Sequence, residues 1–233
     1  MARLAQVKTE RASSRSAIPW LAWLLPALFI ALAFAQEAVT ITDEQIAKLA
    51  TSFGAVAKDR LTSWRGIMTN PKNRGLAERQ KLELVNDFMN KTPFVSDQEH
   101  WGKEDYWATP VEFLSTNGGD CEDFSIAKYF TLRALGVSDD KLQITYVKEI
   151  VIYKQAHMVL AYFATPDAEP VILDNINKTI QPASTRTDLV PVYSFNGSGL
   201  WLAKQQQGRG QSAGSSDRIG QWKDLQTRMK GAT

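Results

Sequence analysis

Asn117-Gly118-Gly119-Asp120-Cys121-Glu122-Asp123-Phe124 divides the 233-residue chain into two differently patterned halves. The Asn-Gly-Gly-Asp run is a turn signal, because glycine adopts turn backbone freely and Asn and Asp bond to their own backbone. Directly behind it, Cys121 to Leu135 reads as a helix. Phe124, Ala127, Lys128 and Thr131 continue the helical period, and Gly136 supplies the stop. Asp120 is the natural N-cap, which puts Cys121 in the first turn.

Upstream of that turn the pattern is helical. Thr42-Asp43-Glu44-Gln45 fits a capping box, and Ile46, Leu49, Phe53, Val56 and Trp64 recur behind it, predicting a helix over 43–66. Asn70-Pro71 and Asn73 to Gly75 break the chain. Ala77 to Asn90 is a second amphipathic stretch with Leu82, Val85, Phe88 and Met89 on one face, ended by Pro93. An aromatic connection with Trp101, Tyr106 and Trp107 leads back to the turn.

Downstream the pattern changes. Leu142 to Val147, Val151 to Tyr153, His157 to Phe163, Val171 to Leu173 and Val190 to Phe195 are short and rich in β-branched or aromatic residues, which predicts strands. Helices first and an antiparallel sheet second make an α+β domain. Asn196-Gly197-Ser198-Gly199 is not a G-x-S-x-G nucleophile motif and reads as a turn. From Lys204 to Ser216 the chain turns to Gln, Gly and Ser without periodicity, predicting a flexible tether before a short helix at about 217–230.

The first 35 residues stand apart. A basic segment, Met1 to Ala17, precedes the apolar run Ile18 to Phe34 and the triplet Ala33-Phe34-Ala35. This order predicts a secretory signal over 1–35, cleaved before Gln36, with the domain at 36–203 and a tail at 204–233. A retained anchor is the alternative, since the run touches the lower length limit for a span; Pro19, Pro26 and the A-x-A triplet weigh against it. The formal charge of +2 belongs to this leader, because the rest has 23 positive and 24 negative residues. Without a basic excess to drive phosphate binding, a nucleic-acid role loses its electrostatic support.

Export gives Cys121 meaning. It is the only cysteine, in a chain sent where disulfides form, so it is either buried and inert or kept for its reactivity. A helix N-terminus favours a thiolate through unpaired N–H groups and the helix dipole. A thiol nucleophile also needs a base, and only His100 and His157 exist. His157 opens a predicted strand; His100 lies in a polar loop and is the weaker candidate. Asp174, at the end of Val171-Ile172-Leu173, is placed to orient the imidazole if the two segments are antiparallel neighbours. Each residue also has a plainer reading: a small buried hydrophobe, a core histidine and a turn aspartate. Tyr106, Trp107 and Trp201 could line a peptide groove or simply fill core.

The run Asn117 to Phe124, followed by His157-Met158-Val159-Leu160 and Leu173-Asp174-Asn175, resembles the transglutaminase-like cysteine peptidase superfamily. More narrowly, it is similar to the bacterial transglutaminase-like cysteine proteinases of the LapG type, over roughly residues 42–202. The resemblance implies a papain-like α+β fold with Cys121 as nucleophile, His157 as general base and then acid, and Asp174 as orienting carboxylate. It also implies a periplasmic, Ca2+-dependent endopeptidase that clips a large surface adhesin near its N-terminus and releases cells from biofilms. An inner-membrane cyclic di-GMP receptor acts on that family as inhibitor.

Asp120, Glu122 and Asp123 crowd the helix start, and three negative charges there oppose formation of a thiolate. A hard divalent cation on oxygen ligands would cancel that penalty. The resemblance implies Asp120 and Glu122 as calcium ligands, with Asp123 as a third. The plainer reading is that these acids cap the helix and suit its dipole. Two other functional readings stand beside the peptidase: a transglutaminase, in which a lysine amine resolves the acyl-enzyme, and a non-catalytic periplasmic binding module. A zinc site on Cys121 and His157 is disfavoured by the shortage of Cys and His.

Overall fold

Thr42 caps the first helix as its sequence dictates: its hydroxyl accepts from Gln45 N–H at 3.1 Å, and the Gln45 side chain accepts from Thr42 N–H at 2.8 Å. The computed structural model describes residues 40–202 and 210–231, so the predicted signal segment, 1–35, lies outside the described residues. Six helices come first: α1 (Asp43–Thr69), α2 (Pro71–Arg74), α3 (Glu78–Met89), α4 (Asp97–His100), α5 (Pro110–Thr116) and α6 (Cys121–Ala134). Then come β1 (Leu142–Glu149), β2 (Ala156–Tyr162), β3 (Val171–Leu173), β4 (Gln181–Pro182), β5 (Leu189–Phe195), β6 (Leu200–Leu202) and β7 (Gln211–Gly214), and α7 (Gly220–Gly231) follows them. The architecture is the α+β arrangement read from the sequence.

The strands form one antiparallel sheet in the order β4-β3-β2-β1-β5-β6-β7. Side chains alternate faces along a strand, and the two faces of β2 bury different clusters. Met158, Leu160 and Tyr162 join the main core with Ile126, Leu132, Ile144, Leu173 and Phe195. Val159 and Ala161 join a smaller cluster with Val147, Phe163 and Ile172. Full burial of each large apolar side chain contributes roughly 1.5–3 kcal/mol, and the α6 residues Ile126 and Leu132 are wholly buried. Trp64 of α1 is locked to α6 by its indole N–H, which donates to Thr131 Oγ1 at 2.8 Å.

Three sequence expectations need correction. The predicted apolar stripe of α1 breaks at Gly54, where φ is 83° and the backbone is not helical. Beyond the kink the buried row is Ala57, Leu61, Trp64 and Met68, while Phe53 and Val56 face solvent. Val151–Tyr153 is not a strand. It is the turn between β1 and β2, and the buried Glu149 carboxylate accepts the N–H groups of Val151, Ile152, Tyr153 and Lys154. One carboxylate thus satisfies four successive backbone donors, which holds the segment as a turn.

The tail is the third. Residues 204–209 of the predicted tether lie outside the described residues, but Gln211–Gly214 pairs with β6 as the sheet's edge. The helix after it is core: Trp222 and Leu225 are fully buried, with Trp222 stacked on Phe130 and edge-on to Phe195. The folded domain therefore does not stop at 203.

Candidate active site

Asn117 ends α5 in the left-handed conformation, φ 60°, and two glycines lead into α6. Gly119 is required by close approach: an added Cβ would lie 2.4 Å from Asp123 Oδ2 and 2.7 Å from Phe113 Cδ2. Asp123 uses that space to accept from Asp120 N–H at 3.3 Å and Ala108 N–H at 2.7 Å. Asp120 holds the N-cap position, but the closure comes from Asp123 rather than from its own carboxylate. Cys121 is thereby the first residue of α6, partly exposed as a free thiol.

A cavity of about 930 Å³ opens over this helix start, lined by Cys121, His157 and Met158 together with Asp120 and Glu122. His157, on β2, is buried, and its Nε2 lies 2.8 Å from Asp174 Oδ1. The register Leu160↔Leu173 continues to set Asp174 opposite Val159, which makes His157, two residues back on the same face, its diagonal neighbour. An ionised carboxylate can only accept, so Nε2 carries the hydrogen and Nδ1 is the basic nitrogen.

Asp174 is held from every side. Oδ1 also accepts from Ile176 N–H at 3.0 Å, and Oδ2 accepts from Arg186 Nη2 at 2.7 Å. Its carbonyl accepts from Lys128 Nζ at 3.0 Å and Asn90 Nδ2 at 2.9 Å. Burial would raise the carboxyl's pKa, but His157, the Ile176 N–H and Arg186 pull it well below the usual range. Lys128 is fully buried without a carboxylate partner, and that desolvation brings it down to about 7, against a smaller opposing pull from Asp174.

The thiol shows the opposite balance. Burial, then the charges of Glu122 and Asp120, push Cys121 well above its ordinary value, while the Met158 N–H opposes them. Glu122 Oε2 lies 3.1 Å from the sulfur. The surrounding carboxylates are themselves frustrated. Burial, followed by mutual repulsion, raises Glu122 and Asp123 strongly, and burial leads the rise of Asp120. Asp97 on α4 is also buried and is raised to about 6, chiefly by desolvation, although Tyr106 N–H donates to it. Asp97 Oδ1 and Asp120 Oδ1 are buried with no hydrogen-bond partner among the described residues. Unpartnered buried carboxylate oxygens are costly.

Those oxygens define where a cation fits. Ligand atoms of Asp97, Asp120 and Asp123 converge within 4.8 Å of one another, as do those of Asp97, Asp105 and Glu122. The expected trio Asp120, Glu122 and Asp123 lies in this region, and Asp97 and Asp105 join it unannounced by the sequence. Ser96, which caps α4, was the only local sign near Asp97. Oxygen-only donors with net negative charge suit a hard divalent ion such as Ca2+.

The remaining candidates separate. His100 does not line the cavity; its Nε2 meets Thr116 Oγ1 at 2.7 Å. Trp107 lines the cavity but is mostly core, stacked on Phe195. Tyr106 and Trp201 do not line it, and the groove's aromatic wall is instead Phe94, Tyr146, Tyr153 and Tyr193. Tyr146 and Tyr193 stack with their planes 6° apart. Ile219 and Gln221 from the tail complete the lining, and Gln221 Nε2 donates to Asp105 Oδ2 at 2.7 Å.

Comparison with known proteins gives concordant findings. Residues 65–208 match the model of the bacterial transglutaminase-like cysteine proteinases. The solved structure of Legionella pneumophila LapG is 44% identical, covers 81% of this chain and 98% of that one, and superposes with a TM-score of 0.68. Its EGTA-treated form matches at the same identity and coverage with a TM-score of 0.70. The calcium-bound form gives 0.66 at 44% identity, covering 81% and 99%. No curated protein matches.

Proposed function

This chain belongs to the bacterial transglutaminase-like cysteine proteinases, and we propose that it is a periplasmic, Ca2+-dependent endopeptidase that cuts a large surface adhesin near its N-terminus. The observation that carries the reading is one cavity holding Cys121, at the first position of a helix, and His157, itself bonded to Asp174. In the proposed reaction His157 Nδ1 takes the thiol proton and the sulfur of Cys121 attacks the peptide carbonyl. The first-turn N–H groups of α6, which have no intrahelical acceptor, face the developing oxyanion. His157 then passes its proton to the leaving amine, and water, deprotonated by the same nitrogen, releases the acyl group from sulfur. Asp174 keeps Nε2–H oriented throughout.

Asp97, Asp120, Glu122 and Asp123, with Asp105 beside them, are the residues that would hold calcium. A bound dication supplies charge compensation, offsetting the carboxylates that push the thiol up. Support comes from the unpartnered oxygens of Asp97 and Asp120 and from the relative solved with calcium bound. Among the described residues no helix is long and apolar enough to cross a membrane; periplasmic delivery is proposed from the basic, apolar and A-x-A order of residues 1–35. By family resemblance, the proposal extends to control by an inner-membrane cyclic di-GMP receptor and to a role in biofilm release.

The test is incubation of the mature chain with the N-terminal region of such an adhesin, read by mass spectrometry. Two fragments that together exceed the intact mass by one water support the endopeptidase. A product that has lost ammonia on joining a lysine marks a transglutaminase, and an unaltered substrate in the presence of Ca2+ overturns both.

A further inference from the structure

Arg186 is the residue whose placement the reaction as described does not use. It follows a single 3-10 turn, Ala183–Thr185, between β4 and β5. Flanking residues Ala183 and Leu189 pack on Val147, Val159, Ala161, Phe163 and Ile172, the sheet face opposite the main core. Arg186 is itself 3% exposed, so an arginine has been carried into the interior on the same face as His157 and Asp174. A buried guanidinium persists only where anions meet it. Here Nη2 reaches Asp174 Oδ2 at 2.7 Å and Asp188 Oδ2 at 2.7 Å, and Nε reaches Asp188 Oδ1 at 2.9 Å.

We propose that Arg186 is a positioning residue for the Cys121–His157 pair: it grips the oxygen of Asp174 that His157 leaves free and offsets part of that carboxylate's charge, while Asp188 holds Arg186 from behind. The inference rests on the peptidase reading, because it assigns Asp174 the task of orienting His157. Its physical content is a balance. An uncompensated buried carboxylate would bind the imidazole's second proton tightly and leave His157 a poor base at neutral pH. A carboxylate shared with a guanidinium still accepts Nε2–H but attracts that proton less. The other charged groups facing Asp174 are Lys128, on its carbonyl, and Lys178, whose Nζ donates to Asn90 O at 3.1 Å while Asn90 in turn donates to Asp174 O. Lys128 feels the charge of Asp174, but both lysines contact main chain, so among the described residues Arg186 is the cation bonded to the carboxylate beside His157. Cys121, Asp120 and Glu122 share the cavity with the imidazole and are unchanged in every variant.

The experiment is NMR titration of the imidazole of His157 in the calcium-loaded chain, with a His100→Gln background removing the other histidine signal. Arg186→Gln is expected to raise the His157 midpoint by about one unit, the lower end of what a close charge exerts. Asp188→Asn is expected to move it the other way, since it leaves Arg186 wholly to Asp174. Arg186→Lys keeps the charge without the fork and is expected to fall between Arg186→Gln and the unmodified residue. General loosening of the site cannot produce shifts of opposite sign. Unchanged midpoints, or shifts of one sign in both variants, overturn the proposal. Asp188 is partly exposed, and Arg186→Lys, which keeps the buried charge, supplies the opposing arm if Arg186→Gln does not fold. Opposite shifts in a chain that cuts no polypeptide would uphold the Arg186 assignment and sink the peptidase. An active enzyme with unmoved midpoints would do the reverse.

Discussion

His157 Nε2 and Asp174 Oδ1 stand 2.8 Å apart although the residues are 17 positions apart in sequence. The hairpin-like pairing of β2 with β3 brings them together, and the rest of the site is arranged around that bond. Asp174→Asn preserves the shape but lets the side-chain NH2 face His157, favouring the wrong tautomer. Expected is a roughly 10²- to 10⁴-fold loss in the rate of acyl-enzyme formation, measured by single-turnover peptide cleavage, with a far-UV spectrum like that of the unmodified chain. An unaltered rate contradicts the orienting role.

Calcium removal is predicted to act on fold and thiol together. Asp97 Oδ1 and Asp120 Oδ1 lack partners without an ion, so Asp97→Asn should weaken Ca2+ binding by at least about tenfold in titration calorimetry. The thermal midpoint of the chelated chain should fall below that of the loaded one, because a ligand bound only by the native state stabilises it. Equal affinity in the Asp97→Asn variant excludes Asp97 as a ligand.

Lys128 gives the stability a pH dependence with a definite sign. Burial brings it down to about 7 in the folded chain, against about 10.4 when unfolded. Between those values the unfolded state binds more protons, so Lys128's destabilising effect is full below pH 7 and fades as pH rises towards 10. Lys128→Met should therefore be the more stable protein at pH 6–7, by a few kcal/mol on the scale of about 1.4 per unit. Its advantage should shrink steadily up to about pH 10. Chemical denaturation at several pH values checks this, and a constant difference would refute it.

Trp222 tests whether the tail is part of the domain. It is fully buried against Phe130, Tyr129 and Phe195. Trp222→Ala should cost roughly 3–5 kcal/mol in urea unfolding. A cost below about 1 kcal/mol would return 220–231 to the status of an appendage.

Much of this was legible in the chain because the signals were local. The Thr42 capping box, the glycine turn before Cys121 and the alternating strands each carry their meaning within a few residues. Val151-Ile152-Tyr153 misled because β-branched residues suggest a strand, whereas the buried Glu149 carboxylate decides for a turn. The tail misled through composition, although Trp222 and Leu225 at a helical interval were the available sign. Asp97, Asp105, Asn90, Lys128 and Arg186 belong to the site by tertiary convergence alone. No spacing within one segment couples Arg186 to Asp174 across β4, or Asp97 to Asp120 across α5.

Activation of Cys121 is tested most directly by its iodoacetamide alkylation rate against pH in the folded chain without residues 1–35. The comparison is calcium-loaded protein, chelated protein and His157→Ala. Expected is fast alkylation well below pH 8 in the loaded chain, slowed by chelation, which restores the full repulsion of Glu122 and Asp120, and slowed by loss of the base. A thiol that reacts only above its ordinary value of about 8.5, or only after unfolding, contradicts an activated nucleophile and makes Cys121 a buried cysteine.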